Sequence, residues 1–374
     1  AAPGGKKLNI ALKKNDKYKP NAKASLDKAI AKYGKNKTHF DTYTISAAST
    51  KGGVSVTDYE SDSQYFGTVT VGTPGVKLKL NFDTGSSDLW FGSTSCTSCG
   101  SSQVLYNPSK SSTYKKDGRY WSIAYGDGST SSGTSAYDTV ELGGFKIKKQ
   151  AIQLAKKESS SFVNGPIDGI LGLGFDKMTS IRGVKTPMDN LISQGLISKP
   201  IFGVHLRKAS KGGGGEYTFG SYDSSKFKGR LTTVPVDNSR GYWGVKVKKT
   251  KVGTKSVTGS FDAILDTGTT LLLFPTRIAS KIANAYNAKS LGDGTYSIDC
   301  DTSKLKPLIF SMGSSTFEVP TDSLIFQKMG NKCMAGFGEG ELDMAILGDV
   351  FLKNNYVVFN QKVPEVRIAP SSDA

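Results

Sequence analysis

Histidine is nearly absent from this chain: His39 and His205 are the only two among 374 residues. Neither stands in a ligand pattern, so a histidine-held metal has little to rest on. No metal and no cofactor is expected. Long apolar runs are also missing. None approaches the roughly 18 residues that a membrane helix needs, and no membrane association is expected. The opening Ala1-Ala2-Pro3-Gly4-Gly5-Lys6-Lys7 has no apolar signal core. If the protein is secreted, its signal peptide has already been removed. Cysteine is scarce, with four residues. Cys96-Thr-Ser-Cys99 could be half a zinc site or a redox pair, but zinc would need two further ligands nearby. The even count favours two disulfides, Cys96–Cys99 and Cys300–Cys333, and an oxidising compartment.

What is plentiful is glycine, at 43 residues, and aromatics, with 16 Tyr and 18 Phe. Short β-branched runs lie between Gly, Ser, Asp and Asn turns: Tyr65–Val71, Val76–Phe82, Trp121–Tyr125, Val245–Val252 and Tyr356–Phe359. That rhythm predicts an all-β fold, in a chain long enough for two domains. Helical patterns are confined to Ala24–Tyr33, Thr186–Gln194 and Pro275–Tyr286. The run Gly212–Gly215 reads as a surface loop.

Charge is uneven. Residues 1–50 hold eleven Lys and three Asp, a balance of +8, leaving +9 of the total +17 for the remainder. The later lysines are scattered through strands and no nucleic-acid module is visible, so nucleic acid is not an expected partner. A basic leader (1–50) ahead of a globular body predicts a segment that pairs with acidic groups on that body. In its helix candidate, Leu26, Ile30 and Tyr33 fall on one face and the lysines elsewhere. Ser46-Ala-Ala-Ser-Thr-Lys-Gly-Gly53 is small and polar, suited to processing.

The body repeats itself. Leu80-Asn-Phe-Asp-Thr-Gly-Ser-Ser-Asp-Leu-Trp90 is echoed by Ala263-Ile-Leu-Asp-Thr-Gly-Thr-Thr-Leu-Leu-Leu-Phe274. Each copy has an apolar-Gly element downstream, Asp168-Gly-Ile-Leu-Gly-Leu-Gly174 and Ala345-Ile-Leu-Gly-Asp349. Two related lobes, 51–235 and 236–374, would each give one loop to a shared cleft. Two carboxylates facing each other across about 3 Å cannot both ionise cheaply, so they share a proton. The ionised one can deprotonate a water and the protonated one can stabilise an oxyanion. Asp83 and Asp266 are the candidate pair. Gly85 and Gly268 allow close backbone approach. Thr84 and Thr267 can lock the loops together, and Ser86 and Thr269 can bond the outer carboxylate oxygens.

On these motifs, with Tyr125-Gly-Asp-Gly-Ser129 and Asn354-Asn-Tyr-Val-Val-Phe359, the chain resembles the pepsin-like aspartic proteases over essentially its whole length, above all the fungal rhizopuspepsin and Mucor-type group. A proton-sharing carboxylate pair is characteristic of that family, and the resemblance implies it for Asp83 and Asp266. The resemblance implies a bilobal all-β fold with a deep cleft under a hairpin flap. It also implies acid endopeptidase activity on protein or peptide substrates, sensitivity to pepstatin-type inhibitors, and a secreted monomer or one in an acidic vacuole-like compartment. Tyr125 and Gly126 match the flap, with Tyr125 bonding Trp90. Asp127 matches the position that pairs with a lysine before the scissile bond, so Lys is expected there beside large apolar residues. Ile170, Ile167 and Phe162 are either pocket or core.

The resemblance further makes the leader an inhibitory propeptide whose lysine meets the aspartates. Lys32 and Tyr33 are the first choice, with Lys35 and Lys37 as competitors. An ammonium beside the pair favours its full ionisation. Acid would release the leader, with self-cleavage between about Ala47 and Gly53, where Lys51 suits the lysine preference. Asn36-Lys-Thr38 is a glycosylation sequon confined to the leader. The competing reading is an inert pepsin-fold binding protein. Such proteins lose an aspartate or the flap tyrosine, whereas Asp83, Asp266 and Tyr125 are all present. A glycosidase would not call for duplicated Asp-Thr-Gly loops.

Overall fold

A computed structural model describes residues 8–14, 21–33, 65–124, 130–163, 167–211 and 214–374. The leader gives strand β1 (Leu8–Lys14) and helix α1 (Ala22–Tyr33). The body continues with β2 (Tyr65–Val71), β3 (Val76–Asp83), β4 (Leu89–Gly92), β5 (Lys115–Ala124), β6 (Thr130–Leu142) and β7 (Phe145–Glu158). Next come β8 (Gly169–Gly172), β9 (Ile201–Leu206) and β10 (Gly215–Phe219). Strands dominate, as the turn-punctuated β-branched runs predict, and the three helical patterns appear at Ala22–Tyr33, Pro187–Ser193 and Thr276–Ala285. Among the described residues no helix is long and apolar enough to cross a membrane.

Thirteen strands form the first sheet, in the order Thr232–Pro235, Glu365–Pro370, Asn355–Asn360, β9, β10, β1, β2, β3, β8, β4, β7, β6, β5. It draws on the leader, the body and the C-terminal strands together. The second lobe holds an eight-stranded sheet, built around Phe261–Leu265, Ala345–Leu347, Leu272–Pro275 and Lys332–Gly340, and a separate four-stranded sheet. The burial of β3 shows how a strand is driven toward the interior. Lys77 and Lys79 face solvent against buried Leu78 and Leu80, then Asn81, Phe82 and Asp83 are all buried.

Three local readings change. The leader carries a strand as well as a helix: β1 pairs antiparallel with β10 from Leu8↔Phe219 to Leu12↔Gly215, and with β2 at Lys13↔Phe66 and Lys14↔Tyr65. Val245–Val252 is not one strand. Gly244–Val247 pairs in the large sheet of the second lobe and Lys249–Val252 in the small one. The chain changes sheets at Lys248, whose N–H bonds Ser311 O at 2.8 Å. Gly215 belongs to β10 rather than to a surface loop; Gly212 and Gly213 lie outside the described residues.

Helix α1 begins where the Asn21 side chain accepts the Ala24 N–H at 3.0 Å, an N-cap bond. Lys23 and Asp27 pair one turn apart. Its apolar face buries Ala22, Leu26 and Ala29 against Ile264, Leu271, Leu273, Met334, Leu342 and Ile346 of the second lobe. Leu26 is seated so closely that a Cβ on Gly294 (φ +89°) would lie 2.4 Å from its Cδ2. The leader is thus fixed twice, through backbone pairing in the first sheet and side-chain packing on the second lobe.

Candidate active site

Each Asp-Thr-Gly loop leaves the end of a strand that has a parallel neighbour. β3 pairs in parallel with β8, at Phe82↔Leu171 and Asp83↔Gly172, and β4 returns antiparallel along β8 at Leu89↔Leu171. In the second lobe Phe261–Leu265 runs parallel to Ala345–Leu347, at Leu265↔Leu347, and Leu272–Pro275 returns antiparallel at Leu272↔Leu347. The two downstream apolar-Gly motifs are these central strands. The internal echo of the sequence is therefore a repeat of three-strand units that present their loops to one another.

The loops are bonded reciprocally. Thr84 N–H donates to Thr267 Oγ1 at 2.9 Å, and Thr267 N–H donates to Thr84 Oγ1 at 2.9 Å. The two hydroxyls pass on to carbonyls of the facing strands, Thr84 to Leu265 O at 3.1 Å and Thr267 to Phe82 O at 2.9 Å. Gly85 N–H bonds Asp83 Oδ1 at 3.0 Å and Gly268 N–H bonds Asp266 Oδ1 at 2.8 Å. The other oxygens accept hydroxyls: Ser86 Oγ to Asp83 Oδ2 and Thr269 Oγ1 to Asp266 Oδ2, both at 2.6 Å. Both glycines are required by space. A Cβ on Gly268 would sit 2.2 Å from Asp83 Oδ1, and one on Gly85 would sit 2.6 Å from Asp266 Cγ.

Two leader side chains close on this pair. Lys32 Nζ lies 2.9 and 3.0 Å from the two Asp83 oxygens and 3.1 Å from Asp266 Oδ2. Tyr33 OH donates to Asp266 Oδ2 at 2.6 Å, and its ring meets Tyr242 edge-on at 5.3 Å. Lys32 is thus turned inward from the last turn of α1. Burial works against its charge, but the two carboxylates outweigh that and push the ammonium above the ordinary lysine range. The carboxyls move in opposite directions. Burial pushes Asp83 up, and the charge of Asp266 adds to this against the pull of Lys32. Asp266 is also opposed by burial, yet Lys32, Asp83, Thr269 and Tyr33 together hold it below the ordinary range.

The remaining predicted residues fall into two groups. Trp90 is buried, with ring centroids 6.1 Å from Trp121 and 5.1 Å from Phe162. Ile170, on β8, is half-buried against this aromatic cluster, whereas Phe162 and Ile167 are buried. Both expected disulfides are present, Cys96–Cys99 and Cys300–Cys333. Tyr125, Gly126 and Asp127 lie outside the described residues, as do Lys35, Asn36, Lys37 and the whole Ala47–Gly53 segment with Lys51. Among the described residues no group of three or more His, Cys, Asp and Glu could hold a metal ion.

Sequence reasoning did not single out four residues near this site or behind it. Tyr242 and Tyr217 carry no local pattern. Asp88 was in view, five residues beyond Asp83. Its buried carboxyl accepts Ser180 N–H at 2.8 Å and Ser180 Oγ at 3.1 Å, and burial pushes it up to about 6. Glu158, at the end of β7, accepts Gln103 Nε2 at 3.0 Å and is pushed up by burial to about 7.

Residues 64–371 match the family of eukaryotic aspartyl proteases. The chain is 67% identical to rhizopuspepsin-1 of Rhizopus niveus over 370 residues, which cover 99% of this chain and 94% of that protein. It is 60% identical to syncephapepsin of Syncephalastrum racemosum over 363 residues, covering 96% and 91%. With aspergillopepsin-1 of Aspergillus oryzae it shares 38% over 345 residues, covering 90% and 86%.

Proposed function

We propose that this chain, which belongs to the eukaryotic aspartyl protease family, is the latent precursor of an acid-acting enzyme with Asp83 and Asp266 as its catalytic pair. Family membership makes it an aspartic endopeptidase with the bilobal pepsin-like fold, acting on peptide substrates. The observation that carries the finer reading is the position of Lys32. A leader ammonium bonded to both carboxylates occupies the place a reacting water needs. Tyr33 takes a lone pair of Asp266 at the same time.

In this reading acid acts on the pair itself. Asp83, raised, takes the first proton, and Lys32 then loses one of the two charges that hold it. The singly protonated pair left behind is the form that catalysis uses. One member deprotonates the water while the other, protonated, hydrogen-bonds the scissile carbonyl. The outer hydroxyls of Ser86 and Thr269 fix the carboxyl planes for that exchange. Cleavage between about Ala47 and Gly53 then separates leader from body. Lysine is accepted before the scissile bond through Asp127, alongside large apolar residues, and the enzyme works as a secreted monomer.

The test is direct. The full chain, held briefly near pH 3 to 4, is sequenced from its new N-terminus and assayed on denatured protein with and without pepstatin. Pepstatin-sensitive cleavage and a new N-terminus within 47–53 are expected. A stable full-length chain contradicts self-activation. Comparing Asp127→Thr with wild type on Lys and Phe substrates separates the lysine preference, which an equal loss on both would sink.

A further inference from the structure

Beneath the two loops lies a buried phenol that the proposed reaction does not use. Tyr217 sits in the middle of β10, with Cα partners Val204 on β9 and Ile10 on β1. It is 1% exposed. Its ring meets Phe82 edge-on at 5.0 Å. Its hydroxyl reaches Phe82 O at 3.4 Å, the same carbonyl that accepts Thr267 Oγ1 at 2.9 Å. A buried hydroxyl without a partner is costly, and the Phe82 carbonyl is the partner of this one. The peptide it touches is the one that carries Asp83. Among the described residues the mirror carbonyl, Leu265 O, accepts from Thr84 and from no phenol.

We infer that Tyr217 is a positioning residue of the aspartate pair, tying the central sheet to the Phe82 peptide, whose carbonyl also takes the Thr267 hydroxyl, and so fixing Asp83 against Asp266. The inference rests on the reading of that pair given above. The phenol lies under the floor of the site, so its loss alters how the carboxyls are held and not how substrate is bound. The effect belongs in kcat. Phe82 O keeps its threonine bond when the phenol goes, so the floor loosens without collapsing.

Tyr217→Phe keeps the ring and its packing and removes only the hydroxyl. In the acid-activated enzyme it is expected to lower kcat about three- to tenfold with KM unchanged, and to shift the acid limb of the kcat–pH profile. Site-specific 3-fluorotyrosine at 217, which keeps a hydroxyl, restores wild-type kcat. Amide exchange at Thr84 and Thr267 quickens in Tyr217→Phe, while exchange along the β9–β10 pairs does not. Wild-type kcat in Tyr217→Phe, a change in KM alone, or lower thermal stability with unchanged kcat overturns the inference. If the wild type proves inactive on every peptide while Asp83→Asn behaves identically, the reading of the pair fails instead. The exchange rates then still decide whether Tyr217 holds the loops.

Discussion

The two Asp-Thr-Gly loops share one backbone plan and nearly one set of bonds, yet their carboxyls are driven apart. Asp83 and Asp266 each accept a glycine N–H two residues on and a hydroxyl three residues on. Their lobes meet through mirrored threonine bonds of equal length. The asymmetry comes from the leader. Lys32 spreads its bonds over both, but the Tyr33 phenol donates to Asp266 alone. A symmetric frame thus receives an asymmetric plug, bonded to both carboxyls through Lys32 and to Asp266 again through Tyr33.

The largest effect tests the symmetry. Asp83→Asn and Asp266→Asn should each lower kcat by about 10⁴-fold or more, since residues that act as a unit fail as a unit. A loss confined to one of them, in steady-state assays of the activated enzyme, breaks the equivalence of the loops. Next comes the plug. Lys32→Met removes one partner of a buried, hydrogen-bonded ion pair, a change of about 2–5 kcal/mol in such contacts. Latency of the full chain near neutral pH should fail, as read by cleavage of a fluorogenic peptide before any new N-terminus appears.

Tyr33→Phe should narrow the difference between the carboxyls. A hydrogen bond to a charged group contributes about 1.5–3 kcal/mol. The depressed Asp266 favours the docked leader above its ordinary range, and that contribution is lost as pH falls through the lowered value. Without the phenol the value rises, so the activation midpoint should move to higher pH. A midpoint moving to lower pH would show that Tyr33 does not hold Asp266 down.

The smallest effect concerns the surroundings of the first loop. Asp88 and Glu158 are raised by burial, to about 6 and about 7. A carboxyl raised on folding contributes stability below its ordinary value near 4, and this is lost as pH rises through the folded value. Asp88→Asn and Glu158→Gln should each flatten the fall in Tm between about pH 4 and 7. Parallel Tm–pH curves for variant and wild type would remove these residues from the account.

Duplication made the centre of the site legible in the sequence, because a motif of three residues gains meaning when it recurs with the same downstream partner. The strand–loop–strand units follow from that repeat. The α1 periodicity gave Leu26 its inward face and set the lysines off that face without separating them; the resemblance picked out Lys32, since a helical wheel knows nothing of the two aspartates beyond its last turn. β1 escaped notice although Leu8, Ile10 and Leu12 alternate. Its neighbours are lysines, and its pairing partners lie about 50 and 200 residues away. Val245–Val252 looked continuous because the change of sheet at Lys248 is set by Ser311, far along the chain. Tyr217 has no local signal at all. Its importance arises only when β10 and β3 meet.

The place of β1 in the first sheet has a mechanical consequence. It is an interior strand, with β10 on one side and β2 on the other. Cutting the chain downstream leaves every one of those ladder bonds intact. If the leader is cut as proposed, nicking and departure are separate events, and a severed leader can stay seated as a non-covalent insert. When it does peel away, it bares two facing rows of backbone donors and acceptors, on β10 and β2, that invite a new strand. In the proposed activation, the shed peptide returning, the newly cut end of the body and a second molecule would compete for that one vacancy.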